Sequence, residues 1–369
     1  MRKKVEANDE NLEVDIEIHC LHNIIGSGFH LLKKEQGKGG GETMEFSIEK
    51  AFEQLDTLTT DVQKTLDLPY LESLAEVLHQ VNGGQNEHIT DEQKGKIDSL
   101  SEQFDNKNVS NEQIRKTIQL ALIKGMKGST QAQHTITPDS VAMFIGYFIQ
   151  KLMGNTKKFR LFDPASGTGN LLTAVMNQVE ADVEGFGSEI DPTLIRLAVE
   201  SANLQKQTIE FFHQDSLTSL LLEPVDITIG DLPVGYYPDD IQAMKYELKA
   251  EEGHSYSHHL FIEQSLTYTK EGGYLLFLIP NFLFTSDQRE QLHKFLHKHV
   301  HIVSLLQLPL TMFASEKHAK SIFILQKKGE NTKAPKQALM AQLPSFKDAD
   351  KTYNMLRKID TWFKSEYRE

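Results

Sequence analysis

Three acidic residues carry the chemistry visible in this chain. Each follows a short apolar run and precedes a helical pattern. Asp163 opens the turn Asp163-Pro164-Ala165-Ser166-Gly167-Thr168-Gly169-Asn170. Glu189 closes Gly185-Phe186-Gly187-Ser188-Glu189 and is followed by Ile190-Asp191-Pro192. Asp215 follows Phe212-His213-Gln214 and precedes Ser216. A carboxylate at a first strand end suits an ammonium group, one at the second chelates ribose hydroxyls, and one after the third accepts from an adenine amine. Gly167 and Gly169 let the backbone approach a ligand and adopt positive φ. Any one of these acids is more often a helix cap or a surface charge, and Asp191 and Ser216 read as caps. Three of them at successive strand ends, beside one glycine turn, point to a nucleoside.

Which nucleoside follows from two details. A dinucleotide fingerprint requires a small third residue so that helix and strand pack closely, and Leu172 stands there. A pyrophosphate also leaves Asp163 without a role. A methionine-derived cofactor, with an ammonium group and no pyrophosphate, fits better. A further constellation, Asp231-Leu232-Pro233-Val234-Gly235-Tyr236-Tyr237-Pro238, follows the fourth strand. Histidines cluster at His254, His258 and His259, and at His293, His297, His299 and His301. His293 and His297 share a helical face, but no glutamate stands next to His293 and no third ligand is apparent, so the expectation is solvent-facing histidines and no metal. Ser255, Ser257 and Ser286 lack the Gly-x-Ser-x-Gly setting of a hydrolase.

The elements that must position these residues come in two textures. From Phe46 to about Gly125 the pattern is helical, with Phe52, Leu55, Leu58, Val62 and Leu66 near helical spacing, a break at Pro69, a stop at Gly83-Gly84, and helix starts at Thr90 and Ser110. After a polar connection, strands and helices alternate. Strands are expected at 159–163, 183–187, 209–212, 225–229, 274–279, 302–306 and 321–325, and helices at 141–153, 170–179, 192–204, 260–268 and 288–297. This alternation predicts an α/β fold with a mostly parallel, doubly wound sheet. Residues 348–363 read as one amphipathic helix.

The 369 residues, 39% hydrophobic and 25% charged, describe a globular chain of two or three domains. No apolar run approaches the ~20 residues needed to cross a bilayer, so a membrane span is excluded. The single cysteine, Cys20, excludes a disulfide framework and fits a cytoplasmic location. Net charge is −13, so any nucleic-acid contact needs a local basic patch. Residues 1–43 differ from the rest. Their Lys-Gly-Gly-Gly-Glu segment is compatible with a purine-rich ribosome-binding site just upstream of Met44, so they are expected to be translated leader, the alternative being a flexible Gly/Lys linker without order of its own.

At the motifs quoted, the sequence resembles the class I S-adenosylmethionine-dependent methyltransferases, in particular N6-adenine DNA methylases of the type I restriction modification-subunit kind. The turn Asp163 to Asn170 looks like their motif I. Thr137-Pro138 with its helix looks like motif X, and the stretch from Ile302 to Lys327 looks like their closing hairpin. The whole layout is similar to the YtxK-like proteins of Gram-positive bacteria. The resemblance implies a Rossmann-like methyltransferase sheet with a closing antiparallel hairpin, preceded by a small helical domain. The boundaries expected are 1–43 leader, 44–128 helical domain, 129–328 methyltransferase domain and 329–369 helical tail. It implies S-adenosyl-L-methionine as cofactor, held by Thr137, Asp163, Pro164, Ala165, Gly167, Gly169, Asn170, Glu189, Ile190, Asp215 and Ser216. It also implies catalytic roles for Asp231, Pro233 and Tyr236. The family's acid or amide, two prolines and aromatic are only half kept: Leu232 replaces a proline and Val234 replaces the aromatic, with Tyr236 or Tyr237 as a substitute ring. A nucleic-acid partner is implied. The segment 230–258 is acidic through Asp239, Asp240, Glu247, Glu251 and Glu252, so reading of a nucleic acid would fall to a partner subunit. The competing expectation is a cofactor-binding protein of this fold that has lost transfer and acts through its helical domain.

Overall fold

The computed structural model describes residues 46–127 and 136–366. The leader expectation and Cys20 lie outside the described residues. Four helices come first: α1 (Ile48–Leu66), α2 (Tyr70–Val81), α3 (Asp91–Phe104) and α4 (Asn111–Lys127). Their starts are local chemistry. Ser47 caps α1 by accepting from the Lys50 amide, Pro69 precedes α2, and Thr90 with Gln93 forms a capping box on α3. Leu55, Leu58, Leu74, Leu78, Leu100 and Ile118 make one apolar core. That core also takes in Leu197 and Leu204 from a later helix, so the module is seated on the α/β part.

The α/β part runs α5 (Asp139–Met153), β1 (Lys158–Asp163), α6 (Asn170–Gln178), β2 (Asp182–Glu189), α7 (Pro192–Leu204), β3 (Ile209–His213), β4 (Val225–Asp231), α8 (Asp240–Ala243), α9 (Ser257–Thr267), β5 (Thr269–Pro280), α10 (Arg289–His299), β6 (Val300–Gln307), β7 (Lys320–Lys327), β8 (Leu339–Gln342) and α11 (Ala349–Glu366). The eight strands form one sheet in the order β3-β2-β1-β4-β5-β7-β6-β8. The strands from β3 to β5 in that order pair in parallel, and β7 is antiparallel to both β5 and β6. This is the doubly wound sheet with a closing antiparallel hairpin that the sequence predicts.

Two differences have local causes. The strand expected at 274–279 starts earlier: β5 begins at Thr269 and absorbs Gly272 and Gly273 in a register shift against β4, with Gly272 at φ +79°. The strand β8 is not anticipated. Its four residues alternate half-buried and exposed at the sheet edge, too short and too weakly patterned to register, and β6 pairs with it in parallel. One sheet face is covered by α5, α6 and α11 through residues such as Phe144, Phe148, Leu172, Ile359 and Phe363; the other by α9 and α10 through Leu260, Ile262, Leu292 and Phe295. No helix among the described residues is long and apolar enough to cross a membrane.

Strand order reverses between β1 and β4. Ligands in open α/β sheets bind outside the carboxyl ends of strands at that point. Asp163 ends β1 and Asp231 ends β4.

Candidate active site

The glycine turn after β1 is shaped by its own backbone. Gly167 has φ +52° and Gly169, the residue before α6, has φ +71°. A Cβ on Gly169 would lie 3.2 Å from that of Ala198. The Gly169 amide donates to the Ser166 carbonyl at 2.7 Å, closing the turn. Gly187, opposite on β2, has no room for a Cβ against Phe211 and Ser166, so the turn packs flush on its neighbour strand.

Two of the three predicted acids, Asp163 and Glu189, meet at this turn; Asp215 lies after β3 with partners of its own. Asp163 is 1% exposed and accepts from the Ala165 amide at 3.0 Å. Burial pushes its carboxyl up to about 7; the Ala165 bond opposes this, and the charges of Glu189 and Asp231 add to it. Glu189 reaches the same turn, where one oxygen accepts from the Gly167 amide at 2.9 Å and the other from Ile190 and Asp191, each at 2.8 Å. Asp215 accepts from the Leu217 amide at 2.8 Å and from the Tyr237 hydroxyl at 2.6 Å. Burial, then that bond to Asp215, raises the Tyr237 phenol beyond its usual range. Ile190 is 64% exposed beside Glu189, an apolar side chain open to cover a planar ring.

The remaining cofactor candidates divide. Pro164 and Ala165 lie in the turn, and Asn170 is the first residue of α6. Ser216 is buried and donates its hydroxyl to the Pro164 carbonyl at 2.5 Å. It braces the turn from behind, and caps no described helix. Asp191 does cap α7, accepting from Thr193 and Leu194 at 2.8 and 2.9 Å. Thr137 is buried, and its hydroxyl donates to Asp231 at 3.3 Å.

Asp231 stands where the sequence puts it, but with a partner the sequence does not reveal. The ammonium of Lys320, at the start of β7, pairs with its other carboxylate oxygen. Lys320 has no motif of its own; only the antiparallel entry of β7 beside β5 brings it across, opposite Pro280. Leu232, where the family pattern has a proline, turns inward and is 1% exposed in the apolar core. Pro233 and Val234 are exposed. Of the two candidate rings, Tyr237 is buried against Asp215, whereas Tyr236 is 58% exposed and stacked on Tyr256 at 4.9 Å with an interplanar angle of 14°.

The histidines split. His293 and His297 are exposed, as expected. His258 and His259 are not: both are fully buried at the start of α9, beside Tyr256, with no hydrogen-bond partner on any ring nitrogen. Burial holds both imidazoles down, to about 3 and about 4, so they stay neutral. Among the described residues no group of three metal-ligating side chains occurs.

The fold, with its switch-point crevice, is that of the class I S-adenosylmethionine-dependent methyltransferases. Residues 126–366 match the family model described as N-6 DNA Methylase, and residues 49–126 match that of the YtxK N-terminal helical domain. The chain belongs to the N-6 DNA methylase family. It is 46% identical over 319 residues to the uncharacterized protein YtxK of Bacillus subtilis (strain 168), covering 85% of this chain and 97% of that one. A crystal structure from Listeria monocytogenes described as "a putative class I S-adenosylmethionine-dependent methyltransferase" superposes with a TM-score of 0.79 at 42% identity, covering 86% of this chain and 98% of that chain. The methyltransferase subunit of a type I restriction-modification system from Streptococcus thermophilus shares the fold, with a TM-score of 0.55 at 16% identity, covering 89% of this chain and 76% of that chain.

Proposed function

We propose that this protein is an S-adenosylmethionine-dependent methyltransferase that transfers a methyl group to an amine held by Asp231. The observation that carries this reading is the buried Asp163 at the start of the glycine turn, with Glu189 bonded to the Gly167 amide of that turn and Asp231, at the end of the neighbouring strand, adding to the negative field at Asp163. A buried carboxyl pushed upward by two anionic neighbours is a site that gains from a cation. S-adenosylmethionine brings an ammonium for Asp163, a ribose diol for Glu189, an adenine ring for Ile190 and an adenine amine for Asp215.

When bound, the cofactor supplies an electrophilic methyl group; the chain supplies position. Asp231 accepts a hydrogen bond from the acceptor amine and aims its lone pair, an effect that is mostly orientation. Pro233 and Tyr236 border the acceptor, and the exposed Tyr236 ring offers a face to a planar base. A nucleic-acid acceptor is the leading class. The acidic segment after β4, with Asp239, Asp240, Glu247, Glu251 and Glu252, leaves its reading to a partner subunit. The proposed compartment is the cytoplasm.

A second reading has an observation of its own. Lys320 and Thr137 already occupy the Asp231 carboxylate, and Leu232 and Val234 depart from the family pattern. On that reading the protein binds the cofactor without transferring from it, and acts through its helical module. Incubation with methyl-labelled cofactor and host DNA, RNA or lysate separates the two. Label on an acceptor, lost in Asp231→Ala, is the expected result; cofactor binding with no transfer to any fraction supports the second reading.

A further inference from the structure

The glycine turn is not held by the α/β part alone. Asn170, the residue after Gly169, is 7% exposed, and its side-chain carbonyl accepts from Arg115 Nη1 at 2.7 Å. Arg115 belongs to α4 of the helical module and is itself 2% exposed. Its Nε and Nη2 bind the two oxygens of Glu112 at 2.7 and 2.6 Å, and Nη2 also lies 3.0 Å from Asp139 Oδ2. The other Asp139 oxygen accepts from Gln119, again of α4, at 2.8 Å. Asp139 stands two residues after Thr137, which donates to Asp231. The Asn170 amide reaches back to the Thr137 carbonyl at 3.5 Å. One guanidinium thus joins the cofactor turn, the Thr137 segment and the helical module.

We propose that Arg115 is a positioning residue of the cofactor site: the helical module uses it to fix Asn170 and Asp139, and through them the glycine turn and Thr137. The inference rests on the cofactor reading of that turn. A guanidinium fork donates to Glu112 and Asn170 at once while its charge faces Asp139; an ammonium on a flexible stem keeps the charge but not the directions. The arrangement is also reciprocal: a ligand that prefers the ordered turn must stabilise α4, and anything that shifts α4 must change affinity for that ligand.

Calorimetry with S-adenosylhomocysteine on the full chain tests this. Arg115→Lys is expected to raise Kd by at least about tenfold, with an unchanged circular-dichroism spectrum. Lys206→Met is the control: it removes an exposed pair with Asp105, 3.1 Å, that joins the module to the α/β part away from the turn. Its Kd is expected to match wild type. A measurement that needs no variant is hydrogen exchange on the native protein, where S-adenosylhomocysteine is expected to slow the amides of residues 111–127. Equal Kd for Arg115→Lys and wild type, or no protection in α4 on binding, overturns the proposal. A wild-type protein that binds no S-adenosylhomocysteine overturns the cofactor reading itself, and this inference with it.

Discussion

On the proposed cofactor reading, the buried carboxyl of Asp163 ties ligand binding to pH. Its carboxyl sits near neutrality because it is buried, and because Glu189 and Asp231 add negative potential against the pull of the Ala165 amide. The fold therefore favours the protonated form. That contribution to stability is full in acid and is lost as pH rises toward about 7. A ligand's ammonium group placed against Asp163 favours the ionised form, so binding should expel a proton. S-adenosylhomocysteine affinity is expected to rise with pH and level off above about 7, with proton release visible as a buffer-dependent heat in calorimetry. In Asp163→Asn the pH dependence should vanish and affinity should fall about 10- to 100-fold, the range for a charge-assisted hydrogen bond. A flat pH profile in the wild type would count against the assignment. The acids were legible in the sequence because each ends a strand within a few residues of a recognisable pattern. Lys320 and Arg115 were not: each acts on a residue far away in sequence, and neither helical periodicity nor strand alternation records which side chain lies across the gap.

At the scale of elements, the start of α9 carries a desolvation cost beside the candidate site. It buries His258 and His259 with all four ring nitrogens unpaired, and their rings meet edge to face at 5.0 Å. Both are held neutral, so the sign is opposite to that of Asp163: their contribution is intact above the ordinary histidine value and is lost as pH falls below it. At pH 5 each should cost on the order of 2 kcal/mol relative to neutrality, given an unfolded pKa of about 6.5. Urea midpoints at pH 7 and pH 5 check this; the His258→Phe, His259→Phe double variant is expected to lose most of the difference. An acid limb as steep as that of the wild type would place the sensitivity elsewhere. Here the sequence misleads, because a run of polar-looking residues after an acidic loop gives no sign of being sealed under Tyr256. The strand-helix alternation, by contrast, is legible throughout, since buried parallel strands are apolar runs and their helices are amphipathic. The exception, β8, is short and half exposed, so neither signal is present.

For the whole molecule, charge sets what the chain can do unaided. With a net charge of −13, weak non-specific attraction to a phosphate backbone is the expectation. Fluorescence anisotropy with a labelled duplex near 150 mM salt should give a Kd weaker than about 10⁻⁴ M for the isolated chain. Tight binding would locate a nucleic-acid surface in this polypeptide and remove the need for a reading subunit. The sheet order has a different consequence. The carboxylate of Asp231 is met by Thr137 from 94 positions upstream and by Lys320 from 89 positions downstream. Such remote closures are slow to form, because the entropy of joining distant segments is lost before their contacts return it. A nascent chain emerging from the ribosome has Thr137 and Asp231 well before β7 exists. Asp231 therefore meets its ammonium partner only when the last long strand slots in between β5 and β6, so that this one pairing doubles as a sign that synthesis and assembly have reached β7.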